Sequence, residues 1–242
     1  MSRRLLPASG LLVLLAIAPP ALGAEDYLAE DASTRNFLLR PHGMAEIGLG
    51  WLTLPGAQVC AKRSEDSCSE GDSSPAVEVW QLFRASPALA FGAGITLGLI
   101  PTTDAPRNDP PGVERDHERS YFGVEGIARY YPLVNTSFEA WLGVTGGLVV
   151  LSDHFSTASQ LSDRAFVGPR GVTIRTEGYA VGVAAGTAYR FAPAWSVGGN
   201  LRFGNWFFPQ EPERDVFGDE ASLSGRNSMF ALVITIAYRI AL

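Results

Sequence analysis

The sequence predicts an all-β chain, an eight-stranded antiparallel up-and-down transmembrane β-barrel, and three observations predict it. Apolar segments about ten residues long recur from Met44 onward with a period of two, the strand period rather than the helical one. The connections between the segments alternate between long and short. One face of the segments carries no charge, whereas the other is rich in glycine and polar groups.

The chain before the first segment reads as an address. Arg3 and Arg4 precede an apolar stretch, Pro19 and Pro20 break it, and Ala21, Gly23 and Ala24 offer cleavage points, so residues 1–24 have the pattern of a secretory signal peptide. Residues 25–41, with Tyr27, Leu28, Phe37, Leu38 and Leu39 among charges, are expected as a periplasmic N-terminal segment, and 42–242 as the barrel. The eight strand segments fall roughly at 44–54, 76–84, 89–100, 121–131, 138–150, 172–191, 195–207 and 228–242. Long connections at 55–75, 101–120, 151–171 and 208–227 alternate with short ones at 85–88, 132–137 and 192–194. Four long loops therefore share one end of the sheet and three tight turns the other. Membrane-spanning barrels have this asymmetry, with short periplasmic turns, long extracellular loops and an even strand number that leaves both termini in the periplasm.

The partition of side chains selects a lipid solvent over water. The uncharged face runs through Ile47, Leu49 and Trp51, then Phe91, Ile95 and Leu97, Phe122 and Val124, Leu142 and Val144, Val181 and Val183, Leu201 and Phe203, and finally Phe230 to Tyr238. A lysine or arginine in the middle of a lipid-facing band costs about 2–4 kcal/mol, which explains a charge-free face held over so many strands. A soluble barrel shows the reverse, an apolar cavity beneath a charged exterior. Aromatic residues cluster at strand ends: Phe83, Phe91, Tyr130, Phe138, Phe191, Trp195 and Tyr238 beside the short turns, and Trp51, Phe122, Trp206, Phe207 and Phe230 beside the long loops. Two girdles at two interfaces are expected from this placement.

Composition narrows the function classes. No apolar run reaches the 18 or so residues of a membrane-spanning helix. A net charge of −6 lacks the basic surplus that draws a protein to phosphate backbones, which argues against nucleic acid as a partner. Cys60 and Cys68 close a short loop rich in Ser, Glu, Asp and Gly, and in an oxidising compartment the natural expectation is a disulfide. Neither a glycine-rich phosphate loop nor a dinucleotide fingerprint is present, and no cofactor or metal is expected.

The inward face carries ionic groups: Glu46, Glu125, Arg129, Glu139, Arg190, Arg202 and Arg239. An eight-stranded barrel is just wide enough for side chains to fill, and buried charges demand partners, so these residues are expected to form ion pairs that plug the lumen. With a turn near Val134, Arg129 falls opposite Glu139. The closing seam likewise brings Glu46 towards Arg239. Inward Trp80, Leu82, Ile127, Trp141 and Val149 supply only fragments of the apolar path that a conduit for small apolar molecules needs. His117, among Glu114, Asp116 and Glu118, reads as part of a solvated charge run. The first and last long loops are acidic, with Glu65, Asp66, Glu70 and Asp72 in one and Glu211, Glu213, Asp215, Asp219 and Glu220 in the other.

Across residues 42–242 the chain resembles the small eight-stranded outer-membrane barrels of the OmpA and OmpX type. The resemblance rests on the architecture and on the final segment, Phe230, Leu232, Ile234, Ile236, Tyr238, Ile240 and Leu242, which looks like the C-terminal strand signal read by the outer-membrane assembly machinery, although it ends in leucine where the family usually has an aromatic residue. The resemblance implies a monomer in the bacterial outer membrane, surrounded by lipid and lipopolysaccharide, with a structural or surface-interaction role rather than an enzymatic one. His154 and Ser156, in His-Phe-Ser, resemble the His-x-Ser pair of outer-membrane lipid A deacylases, where Glu177 or Asp153 would supply the orienting carboxylate, and this gives the alternative of a lipid A-modifying hydrolase.

Overall fold

The computed structural model describes residues 40–60, 68–104, 115–157, 171–216 and 218–241. The expected signal peptide and nearly all of the segment 25–41 lie outside the described residues, as do Glu65, Asp66 and Glu114.

Among the described residues nine strands form one antiparallel sheet: β1 (His42–Cys60), β2 (Cys68–Ser86), β3 (Leu89–Gly98), β4 (Thr102–Asp104), β5 (Arg115–Val134), β6 (Phe138–Thr157), β7 (Gly171–Ala192), β8 (Trp195–Phe207) and β9 (Arg226–Ala241). Apart from β3 and β4, which do not pair with each other, each strand pairs with its chain neighbours, β9 returns to β1, and β3 pairs with β5, which closes the ring. The short β4 continues the line of β3 along β5, with Thr102 opposite Arg119, so β3 and β4 are one stave interrupted near Pro101. The ring thus has the eight staves and the up-and-down order that the alternation implies. In the β5–β6 turn, Asn135 Oδ1 accepts hydrogen bonds from the amides of Ser137 (3.2 Å) and Phe138 (2.6 Å), the asparagine device that makes a tight reversal.

The strands outrun the apolar pattern. β1 continues to Cys60 and β2 starts at Cys68, so most of the expected loop 55–75 is a two-stranded ribbon with an irregularity between Leu54 and Gln58. β5 begins at Arg115 and β6 ends at Thr157, each several residues beyond its expected bound. Ladder hydrogen bonds need no apolar side chains, and outside the lipid a strand has no reason to be greasy. At about 3.3 Å per residue, the 20 residues of β5 span roughly 65 Å, well over twice the ~25 Å apolar band of an outer-membrane barrel.

The two faces separate as the alternation requires. Val144, Tyr179 and Ile234 are 60%, 67% and 69% exposed on the outside, beside Leu49, Leu142, Val183 and Leu232. At the short-turn end, Trp195 lies 4.8 Å from Tyr238 and Phe83 5.5 Å from Phe91, ring centre to ring centre. Trp206 departs from the expected girdle. It points inward and packs 5.6 Å from Tyr121 and 6.3 Å from Phe208, because even-numbered residues of β8 face the lumen.

Inside, tryptophans lie flat over glycines. Trp80 is the cross-strand partner of Gly94, and Trp141 of Gly186. A Cβ at Gly94 would sit 2.4 Å from the Trp80 ring, and one at Gly186 2.5 Å from the Trp141 ring. The glycines let an indole fit in a lumen that is otherwise too narrow for it. Replacing Val144 with arginine is expected to destabilise the folded barrel in lipid by about 2–4 kcal/mol, read from denaturant titration of folding into phospholipid vesicles.

Candidate functional site

The chemistry-bearing side chains lie on the inward face, stacked in layers along the barrel axis. At the short-turn end Glu139 is the hub. It accepts from Arg84 Nη1 (2.5 Å), Arg190 Nη2 (2.5 Å) and Arg239 Nη2 (2.6 Å), each on a different stave. These arginines also tie down the turns: Arg84 Nη2 donates to the Pro87 carbonyl (2.6 Å) and Arg190 Nη1 to that of Thr136 (2.5 Å). The Arg84 guanidinium lies 3.9 Å above the Tyr131 ring.

One layer further in, Arg129 forms a two-pronged pair with Glu46, Nη1 to Oε2 and Nη2 to Oε1, both at 2.9 Å, and sits 4.0 Å above the Trp141 ring. The expected partners are therefore exchanged. A shift in the β5–β6 register between Tyr130 and Leu133 sets Arg129 opposite Gly143 and Val134 opposite Glu139. At the seam Arg239 is opposite Met44, while Glu46 is opposite Ala237. Arg129 and Glu139 do not pair, nor do Glu46 and Arg239. Except for Arg190, whose partner Glu139 lies on the adjacent β6, the arginines reach across the lumen to a carboxylate at their own depth.

In the middle, Arg202 joins Glu78 (Nη1 to Oε1, 2.5 Å) and Glu125, and donates to Thr96 Oγ1 (3.2 Å). The Trp80 indole donates to the other Glu78 oxygen (3.2 Å). Above this layer Leu52, Val149, Tyr121, Trp206, Met229 and Val233 form a buried apolar layer. The space left beside Glu125, Arg202 and Trp206 has a volume of about 10 Å³, room for one water.

Nearer the long loops, Asp72 accepts from Arg119 Nε (3.0 Å), Thr102 Oγ1 (2.6 Å) and the Tyr121 hydroxyl, which anchors β4 to β2. His117 Nε2 lies 2.7 Å from Asp153 Oδ1, with the imidazole stacked 4.6 Å from the Phe155 ring. Asp153 also accepts from the amide (3.0 Å) and hydroxyl (2.6 Å) of Ser222. The β8–β9 connection is thereby folded inward as a strap, with Phe208, Ala221 and Leu223 buried. Its tip is a small hairpin in which Arg214 pairs with Glu220.

Several sequence expectations are corrected here. His117 is buried and not on a solvated face, since odd-numbered residues of β5 keep pointing inward beyond the apolar segment. Asp72 and Asp219 are buried rather than part of open acidic loops. Arg84, Glu78, Asp72, Arg119, His117 and Asp153 are ionic lumen residues that the sequence reading did not include. For Glu78 and Arg84 the signal was available, because they share the parity of Trp80 and Leu82 in the same segment. The disulfide joins Cys60 to Cys68, which are direct cross-strand partners, and the Cys60 amide donates to Asp104 Oδ1 (2.5 Å).

The hydrolase constellation is not brought together. His154 and Ser156 point outward, and His154 Nδ1 lies 3.0 Å from Thr173 Oγ1. Asp153 faces the other side of the strand and is engaged by His117 and Ser222. Glu177 faces outward, not inward, opposite Val150 and four positions along β6 from His154. Neither carboxylate is placed to orient the imidazole. Among the described residues no group of three or more His, Cys, Asp or Glu could hold a metal ion.

Solved structures with the same architecture are outer-membrane barrels. A major outer membrane protein from Thermus thermophilus aligns over 83% of this chain and 99% of its own, with a TM-score of 0.52 and 13% identity. Neisserial surface protein A covers 81% of this chain and 96% of its own at TM-score 0.43 and 12% identity. The outer membrane protein OprG from Pseudomonas aeruginosa covers 85% and 99% at TM-score 0.44 and 12% identity. At these identities the likeness is one of fold. No protein-family model matches the chain, and no curated protein matches its sequence.

Replacing Glu139 with glutamine strips three buried guanidiniums of their carboxylate. Loss of one partner from a buried ionic cluster costs about 3–5 kcal/mol, so E139Q is expected to lose its compact, heat-modifiable gel band at a markedly lower temperature than the parent chain.

Proposed function

We propose that the chain is a monomeric bacterial outer-membrane barrel whose lumen is closed and whose work is done at its long-loop end, as a structural or surface-interacting protein. The observation that carries the reading is the filling of the lumen: ionic layers centred on Glu139, Glu46, Arg202 and Asp72 alternate with apolar layers, and the largest fully buried side chains are Trp80, Arg84, Arg119, Arg129, Arg239 and Phe155. A conduit for small apolar molecules is not favoured, because the inward apolar residues pack into these layers.

The outward face supports a surrounding of lipid and, at the long-loop rim, of lipopolysaccharide. Exposed Glu118, His154, Arg175 and Glu177 follow directly on the greasy band, at the level where lipid headgroups begin. Ribbons held by a disulfide and a strap fixed to the lumen make a rigid platform for binding, and binding residues concentrate on loops carried by such scaffolds. With that end outside, the short turns and both termini face the periplasm, and the assembly machinery of the outer membrane is the partner during insertion.

In planar bilayers the purified protein is expected to show no steady ohmic conductance, and a large stable channel would overturn the closed-lumen reading. For orientation, Val216→Cys on intact cells is expected to react with a membrane-impermeant maleimide, since Val216 is 92% exposed at the hairpin tip, whereas Asn135→Cys reacts only after the outer membrane is permeabilised.

A further inference from the structure

Three guanidiniums converge on one carboxylate at the short-turn end. The side chains of Arg84, Arg190 and Arg239 are 1%, 4% and 1% exposed, and that of Glu139 is 3% exposed. Among the described residues, with the adjacent His42 counted as neutral, the formal balance of the cluster is +2. The nearest ionic layer, Glu46 with Arg129, neutralises itself and supplies nothing. The carboxylate in surplus belongs to Glu78 and Glu125 around Arg202, beyond that layer. Glu78 is six positions along β2 from Arg84, roughly 20 Å of strand away, and Glu125 is opposite Gly147, eight positions along β6 from Glu139, roughly 26 Å away. Coulomb attraction over those distances does not replace a counter-ion in contact.

The same cluster has donors to spare. Arg239 Nη1 and Nε, and the Nε of Arg84 and of Arg190, are buried without an acceptor among the described residues. The Tyr131 ring beneath Arg84 softens one charge but brings no negative one. Uncompensated buried charge is among the most unfavourable arrangements a folded chain can hold. Surplus positive charge and idle N–H donors in one place are what an anion requires.

We propose that the short-turn end of the lumen is a binding site for a small inorganic anion, chloride or phosphate, held by Arg239 together with Arg84 and Arg190. The anion neutralises the surplus charge and accepts the idle donors. Because Arg84 and Arg190 also hold the carbonyls of Pro87 and Thr136, it braces two of the three short turns.

The test uses the full chain, refolded in detergent micelles, and follows its unfolding temperature as chloride or phosphate replaces bulky gluconate at constant ionic strength. The parent is expected to gain several degrees with the saturable dependence of a single site. Arg239→Gln removes one surplus charge and is expected to lose that dependence, while unfolding in gluconate at or above the parent's temperature. Arg190→Gln carries the same expectation and serves if Arg239→Gln does not fold. Broadening of the ³⁵Cl resonance by the parent chain, relieved by phosphate, reads the site without any variant. A response to phosphate alone assigns an oxyanion and a response to chloride alone a halide, and either supports the site. The same salt response in the parent and the variants, or no response and no broadening in the parent, overturns it.

Discussion

A bilayer offers no hydrogen bonds, so a strand that crosses it must find every backbone partner in the protein, and a sheet does so only by closing. The pairing of β3 with β5 and of β9 with β1 satisfies that constraint here. Closure with eight staves then fixes a narrow bore, and the bore dictates the rest. The indoles of Trp80 and Trp141 fit because a glycine faces each of them, and most of the arginines reach a carboxylate across the bore. Arg190 apart, the arginines do not choose their carboxylates by strand neighbourhood. They choose them by depth, because in so tight a tube depth is the coordinate that decides which ends touch.

That distinction separates what the sequence states from what it leaves out. The fold was readable because its determinants are local: the alternation that sends Leu142 and Val144 one way and Trp141 and Gly143 the other, and the short connection 132–137 that reverses the chain. The inward position of Arg129, Glu139 and Arg202 was equally readable, since each lies in an apolar segment with clear parity. Their partners were not. The Arg129–Glu46 pair joins side chains from opposite walls, and a slip of the β5–β6 register between Tyr130 and Leu133 spoils any count made from the turn. The long-loop end was the least readable part. Once a strand leaves the lipid its outer face turns polar, the contrast between faces vanishes, and residues such as His117, Asp153 and Asp72 look like loop when they are still lumen. Carrying the odd parity of β6 past Leu151 to Asp153 and Phe155 is what would have exposed the error.

The ionic groups named in the lumen are six arginines, 84, 119, 129, 190, 202 and 239, and six carboxylates, those of Asp72, Asp153, Glu46, Glu78, Glu125 and Glu139. The sum is zero with neutral histidines, yet the distribution is skewed, positive at the short turns and negative towards the loops. Balance among these twelve groups is what allows so much charge inside a greasy wall. The skew is what leaves one end short of a counter-ion, and what makes the two ends of the cylinder chemically distinct before any loop is considered.

The bond between Cys60 and Cys68 joins residues that face each other across β1 and β2. Sliding one strand past its neighbour by a single residue would turn Glu78, Trp80 and Arg84 out into the oil and bring Val79 and Phe83 into the bore. A covalent staple between paired positions forbids that slip for this hairpin whatever the rest of the chain is doing. In a cylinder where all staves must keep the same phase, one hairpin locked in step is a ruler against which the others can be laid.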